Sequence, residues 1–178
     1  MSQQQRTGPG VRLQSGNEWV YAFRSQEDAA SPPDLAVCAA APFEPTVKLG
    51  ASLYVPVHRE VDGRFVEDGY EKVGTATACF RLTDRTFPPG TRVPFYARFH
   101  LPVGAFTASG ECTLVSNDQP QAGVVLAGGA LKLVEVPPGF VGGVLSNLSV
   151  FNPLKLPGFA TGSYYTLYTF RNEGSASP

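Results

Sequence analysis

Few side chains in this sequence are equipped for chemistry: two histidines, His58 and His100, three cysteines, Cys38, Cys79 and Cys112, and a tyrosine group near the C-terminus, Tyr164, Tyr165 and Tyr168. An imidazole titrates in the neutral range and serves as general acid or base when it faces a substrate. His100 shares a strand face with Arg98 and Tyr96, opposite Phe95, Ala97 and Phe99. Alternation alone does not say which of these faces is interior. A cysteine nucleophile needs a base and an oxyanion site beside it, and the sequence displays neither. A phenol turned inward, such as that of Tyr165, can donate to a substrate carbonyl; turned to a rim, it is amphipathic packing.

No nucleotide-binding loop, metal-ligand spacing or cofactor motif accompanies these residues, so the expectation is cofactor-free action with no metal. The cysteines are odd in number and form no CxxC, which predicts reduced, buried thiols and a cytoplasmic location. The opening MSQQQRTGPG has no apolar core of a signal peptide, and no apolar run reaches membrane-spanning length. Asn147-Leu148-Ser149 matches a glycosylation acceptor, a pattern without force in a chain read as not exported. The net charge of -1 and the lack of a basic block predict no nucleic-acid partner.

These residues must be positioned by strands. With 178 residues, 43% of them hydrophobic, and with 19 glycines and 16 prolines, the chain suits one loop-punctuated all-β domain. Val73 to Leu82 and Val93 to Leu101 alternate large with small or polar residues, and Thr86-Phe87-Pro88-Pro89-Gly90 breaks the run between them. Further strands are predicted over 18–24, 51–61, 111–116, 123–127, 140–150 and 163–171, and a short edge piece over 35–41. Residues 130–136 read equally as strand or helical turn. Polar stretches 1–16 and 172–178 read as flexible tails around a domain over 17–171.

Several segments in register carry a resemblance: Trp19-Val20-Tyr21, Ser31-Pro32, Leu53-Tyr54, Lys72 to Cys79, Tyr96 to Gly110, Ala127-Gly128-Gly129, Gly139-Phe140 with Gly143, and Tyr164 to Tyr168. In order and approximate spacing the chain resembles the plant allene oxide cyclases over 17–171. The resemblance implies an eight-stranded antiparallel up-and-down barrel, a fold shared with dirigent proteins and with bacterial Diels-Alder cyclases of polyketide pathways. It also implies a hydrophobic small-molecule substrate held in the lumen, and a homo-oligomer, dimer or trimer. The family's glutamate falls at Ala22, its asparagine at Arg24, and its polar residue before Leu-Tyr in Gly50-Ala51-Ser52. Pro32 lies close to the pocket proline and Cys79 matches the lumen cysteine. The segment between Gly129 and Gly139 is longer than in the family.

If Cys79 faces inward as in the family, Thr75, Thr77 and Arg81 share its face. If the Ala22 position is inward, Val20 and Arg24 join it, and Trp19, Tyr21 and Phe23 pack outside against a partner. Arg24 then either binds a substrate oxygen by paired hydrogen bonds or reaches the rim beside Glu27 and Asp28. Cys79 is either a soft lumen contact or a small hydrophobe. On this reading Arg24, Cys79 and Tyr165 are the candidate catalytic residues. Val20, Ala22, Pro32, Tyr54, Thr75, Thr77 and His100 are the candidate substrate contacts. Three functions follow: a cofactor-free cyclase acting on a polyene or polyketide-like chain, an allene oxide cyclase acting on a fatty-acid epoxide, and a non-catalytic dirigent-like binder.

Overall fold

A computed structural model describes the backbone of residues 10–12 and the whole of residues 17–172. Nine strands and one short helix make up this part: β1 (Gly10–Arg12), β2 (Glu18–Glu27), α1 (Leu35–Ala39), β3 (Val47–Val61), β4 (Arg64–Phe80), β5 (Arg92–Leu101), β6 (Gly104–Ser116), β7 (Val125–Glu135), β8 (Phe140–Phe151) and β9 (Gly162–Arg171). Each strand from β2 onward pairs antiparallel with the next, and β9 returns to pair with β2 from Glu18↔Phe170 to Gln26↔Gly162. The sheet therefore closes on itself as a ring, which removes exposed edges from its body. Residues 10–12, within the stretch read as a tail, pair with β2 at Gly10↔Tyr21, Val11↔Val20 and Arg12↔Trp19. The rest of the two predicted tails lies outside the described residues, apart from Asn172.

Burial of large side chains decides which way each strand faces. Tyr21, Phe23, Leu53, Phe99, Phe106, Leu131, Leu145, Tyr165 and Leu167 are all buried in one continuous core. They fill the ring, where an eight-stranded closure leaves just enough width for side chains or one small ligand. Phe23 stacks on Tyr165 at 5.2 Å between ring centroids, and Phe99 meets Tyr165 edge-on at 5.0 Å. On β4 the inward set is Ala76, Ala78 and Phe80, opposite Phe99, Ala97 and Phe95 of β5. The expected inward set Thr75, Thr77, Cys79 and the expected outward set Trp19, Tyr21, Phe23 are thus both reversed. An outward row of aromatics would have left apolar area in water, whereas the ring buries it.

The two ends of the ring differ. At one end β3–β4, β5–β6 and β7–β8 are joined by short turns, with Asp62 and Gly63 both at positive φ in the first. There the interior is plugged by Trp19, Phe106 and Phe140, and the Arg171 guanidinium lies over the Trp19 ring at 4.5 Å and the Phe140 ring at 5.2 Å. At the other end lie the long connections, residues 28–46, 81–91, 117–124 and 152–161. The β8–β9 connection is held by Asn152, whose Nδ2 donates to the carbonyls of Leu156 and Phe159, each at 2.8 Å. The β3–β4 hairpin runs past the ring, because β2 pairs with β3 only over Ala51–Tyr54 and β5 pairs with β4 only over Thr75–Phe80. Its outer part is a solvent-exposed two-stranded arm.

Residues 35–39 form α1 and not the expected edge strand. Asp34 caps it, its carboxylate accepting from the Ala36 N–H at 2.9 Å. The helix lies on the outside of the ring, where Cys38 is joined to Cys79 in a disulfide and Val37 packs with Tyr96. The expectation of three reduced thiols is corrected: only Cys112 is free among the described cysteines. Disulfides persist in oxidising compartments, so the cytoplasmic expectation drawn from reduced thiols loses its basis. The 130–136 ambiguity resolves as strand, since 130–135 belong to β7.

Labelling with a thiol reagent under denaturing, non-reducing conditions should modify Cys112 alone, and all three cysteines after reduction. Mass spectrometry of the labelled peptides reads both states. Modification of Cys38 or Cys79 without reduction would contradict the pairing.

Candidate functional site

Inward positions near the long-loop end are small. In register across β2, β9, β8 and β7 stand Ser25, Ser163, Ser149 and Ala127, and one layer deeper stand Phe23, Tyr165, Asn147, Gly129 and Cys112. Serine and alanine cannot reach the ring axis as the leucines and phenylalanines deeper down do. A cavity of about 80 Å³ remains, opening between the long connections. Its walls are almost wholly apolar, from Leu49, Phe80, Phe95, Leu114, Val125 and Phe151, and its polar points are Ser25, Ser149, Ser163, Tyr165 and, at the rim, Glu27 and Thr161. This is well below the roughly 300–1,000 Å³ of pockets that enclose a drug-sized molecule. A cavity of this size has room for no more than one end of a hydrophobic ligand.

The polar points form a connected set. Ser149 Oγ donates to Asn147 Oδ1 at 2.5 Å and lies 2.7 Å from Ser163 Oγ, and the Ser163 N–H donates to Ser25 Oγ at 3.2 Å. The Tyr165 hydroxyl shares hydrogen bonds with the side chains of Ser163 and Ser25, and since the Ser149 proton goes to Asn147 and the Ser163 proton to Ser149, the phenol is the donor to Ser163. Burial pushes the Tyr165 phenol up to about 12, against which the two serine hydroxyls act weakly. Burial likewise pushes the Cys112 thiol up to about 12. Both groups therefore keep their protons at neutral pH, so Tyr165 is a hydrogen-bond donor and Cys112 is no thiolate nucleophile. At the rim, Lys155 Nζ of the β8–β9 connection meets Glu27 Oε2 at 2.7 Å.

Of the residues expected to act, Tyr165 alone lines this cavity. Arg24 is on the outer face, its guanidinium over the rings of Tyr70 at 4.9 Å and Tyr164 at 5.6 Å, with Nη2 donating to Gln26 at 3.1 Å. Cys79 is fully buried beneath α1 as half of the disulfide. Val20 and Ala22 share the outer face with Arg24, and Tyr54 pairs with Arg24 there. Thr75 stands opposite the exposed His100 on the outside. Thr77 is outside as well, accepting from the Asp34 N–H at 2.9 Å, and Pro32 is exposed in the β2–β3 connection beside Gly50. These residues do not converge on a common point.

Missed by sequence reasoning were Ser25, Ser149, Ser163, Asn147 and Cys112. The signal was present: small polar residues at alternate positions next to large apolar ones, Phe23-Arg24-Ser25 and Ser163-Tyr164-Tyr165, mark an interior position where bulk gives way to a hydroxyl. Asn147, in the glycosylation-like triplet, is buried to 1% exposure and cannot be an acceptor in the folded chain. Among the described residues no three His, Cys, Asp or Glu side chains converge as ligands for a metal ion, and no helix is long and apolar enough to cross a membrane. Comparison of the chain with protein-family models, with characterised proteins and with solved structures finds no match.

The buried phenol and thiol set an alkaline limit on stability. The unfolded chain loses these protons near pH 10 for Tyr165 and pH 9 for Cys112, while the fold retains both to about 12. In that window the folded state binds more protons, so stability falls as pH rises, by about 1.4 kcal/mol per pH unit for each group. Urea midpoints measured from pH 8 to 11.5 should descend above pH 9, and Tyr165→Phe should make the descent above pH 10 shallower. Equal slopes for the two proteins would show that Tyr165 is not protected.

Proposed function

We propose that the chain is a cofactor-free cyclase, its ring a barrel of the kind shared by allene oxide cyclases and dirigent proteins, acting on a polyene or polyketide-like molecule. The observation that carries this is the apolar, one-ended cavity with a protonated phenol, Tyr165, on its wall. Ring closure within one molecule needs no group transferred to the protein: the new bonds form between carbons of the substrate. What the protein contributes is shape, since holding reacting atoms in attack geometry is worth about 7–11 kcal/mol. The cavity fixes the reacting end, and the mouth between residues 28–46, 81–91, 117–124 and 152–161 directs the rest of the chain. Tyr165 donates to a carbonyl conjugated with one reacting carbon and stabilises the charge that develops on oxygen.

A second reading is binding without turnover, and the size of the cavity favours it, because about 80 Å³ encloses too little of a long chain to fold it tightly. Fatty-acid epoxide chemistry keeps one support, the Glu27 carboxylate on the cavity wall, which Lys155 holds by its ion pair. Self-association belongs to the same proposal: Val144, Leu148 and Tyr164 leave apolar area exposed on the outer face of β8 and β9, with Leu148 68% and Tyr164 56% exposed.

Incubation with linear polyene precursors bearing a conjugated carbonyl should give one stereoisomer of the cyclised product, and Tyr165→Phe should slow its formation on the order of 10²-fold. Product ratios equal to those of the uncatalysed reaction, with the precursor still bound, would favour the binder. Sedimentation velocity should show a dimer or trimer that Leu148→Glu converts to monomer; a monomeric wild-type protein would remove self-association from the proposal.

A further inference from the structure

Past Tyr54 on β3 and Lys72 on β4 the arm has no further strand beside it among the described residues, because β2 pairs with β3 only over Ala51–Tyr54 and β5 with β4 only over Thr75–Phe80. Both of its long edges are open, and a lone two-stranded ribbon is marginal in water. Register sets its two faces. Pro56, His58 and Glu60 of β3 share one face with Tyr70, Glu67 and Phe65 of β4, and Arg59 pairs with Asp68 at 3.2 Å on the other. The first face continues the outside of the ring, since the Arg24 guanidinium lies over the Tyr70 ring. Near its tip stands Phe65, 75% exposed and the most exposed large hydrophobic side chain among the described residues. Glu60 and Glu67, on the same face, have no ion-pair partner among the described residues.

The outside of the ring carries a surface of opposite character. Across β8, β9, β2, β3 and β4 one outward row in register reads Leu148, Tyr164, Arg24, Tyr54 and Lys72. The next outward row toward the short-turn end is Ser146, Thr166 and Ala22, all small and exposed. Leu148 and Tyr164 therefore stand above a shallow trough along which an aromatic ring can lie. Beside them the Arg24 guanidinium is held over the Tyr70 and Tyr164 rings and donates one hydrogen bond, to Gln26. Among the described residues no carboxylate lies within ion-pair distance of it. Of its five N–H donors most are uncommitted. Tyrosine, arginine and an exposed aliphatic side chain together are the composition of a protein interface centre.

We propose that two copies of the chain pair through crossed arms: about a two-fold axis, each arm lays its Phe65 face on the Leu148–Tyr164–Arg24 row of the other. The two surfaces complement each other in charge, with Glu60 and Glu67 on the arm and Arg24 on the ring, and in apolar content, with Phe65 against Leu148 and Tyr164. They do not meet within one chain, because Glu60 and Phe65 lie about 20 Å along the strands from the row at Tyr54, on an arm that leads away from it. A second copy supplies both halves at once. A two-fold axis makes every contact twice, so one pair of unlike patches closes the assembly as a dimer. The inference rests on the self-association stated above and adds to it the element that makes the contact, its partner surface and the number of copies.

The test is a charge exchange between the two surfaces, read by sedimentation velocity on the full chain. Wild-type protein should sediment as a dimer. An arm variant, Glu60→Lys with Glu67→Lys, and a ring variant, Arg24→Glu, should each be monomeric alone at concentrations where wild type is dimeric, since each then sets like charges against each other. Mixed in equal amounts, the two variants should form a heterodimer, because each altered surface then faces its opposite charge at both contacts. Phe65→Ser should raise the dimer dissociation constant at least about ten-fold. Restoration on mixing reads the contact independently of any loss of stability in a single variant. A wild-type dimer that all three variants leave intact would overturn the crossed arms while keeping self-association through another face. Single variants that are monomeric and stay so when mixed, or a wild-type trimer, would overturn the two-fold pairing. A monomeric wild type would overturn self-association and the arms with it.

Discussion

The structure depends on a parity constraint: in a closed ring each strand presents alternate residues to one interior, and all strands must agree on which alternate set that is. Tyr21 and Phe23 on β2, Phe95 and Phe99 on β5, Phe106 on β6, and Tyr165 and Leu167 on β9 settle it together, because these are the largest apolar side chains and they meet only inside. One slipped register would send a whole strand's set into water. Closure of β9 onto β2 over nine residues, Glu18 to Gln26, locks the choice, since slippage at any seam must be matched around the ring. The β-bulge between Leu53 and Tyr54 is tolerated because it falls where β3 and β4 leave the ring for the exposed arm.

That interior is graded along its axis. At the short-turn end the inward residues are Trp19, Phe140 and Phe106, capped by Arg171 stacked over two of them. At the other end the chain spends its length on connections. They are anchored from within: Asn152 holds 152–161 by four hydrogen bonds, and the buried Ser52 hydroxyl donates to Asp28 at 2.5 Å at the start of 28–46. The Asp28 carboxyl is held below its ordinary range first by this Ser52 bond and then by the Ala30 N–H. The mouth is thus built of loops that the chain's own hydrogen bonds hold in place, with the apolar cavity beneath them.

Strand positions were legible in the sequence, because alternation in 73–82, 93–101 and 163–171 is a local pattern and the Pro-Gly breaks are local too. Facing was not, because alternation has two solutions and Cys79 alone does not select between them. Cys79 faces away from the interior, covered by α1 through its bond to Cys38, and a buried cysteine under a helix is indistinguishable in one dimension from a buried cysteine in a lumen. The aromatic residues held the better clue: Trp19, Tyr21 and Phe23 outside would have required a partner to cover them, whereas inside they need none. α1 escaped because Leu35 to Ala41 is too short to show a helical period, although Asp34 at its head is a capping residue.

The candidate site follows from the same grading. Large residues inward at one end and serine, alanine and glycine at the other make a tapering interior, as small barrels use alternating sizes to fill their width. A chain selected for packing alone would fill the Ser25, Ser149 and Ser163 layer with valine or leucine, extending the core by three side chains of about 1.5–3 kcal/mol each. This chain forgoes that stabilisation and places hydroxyls there, each bonded to its neighbour, so that they hold one another and Tyr165 in place. The network ends at Asn147, where a donor is left over.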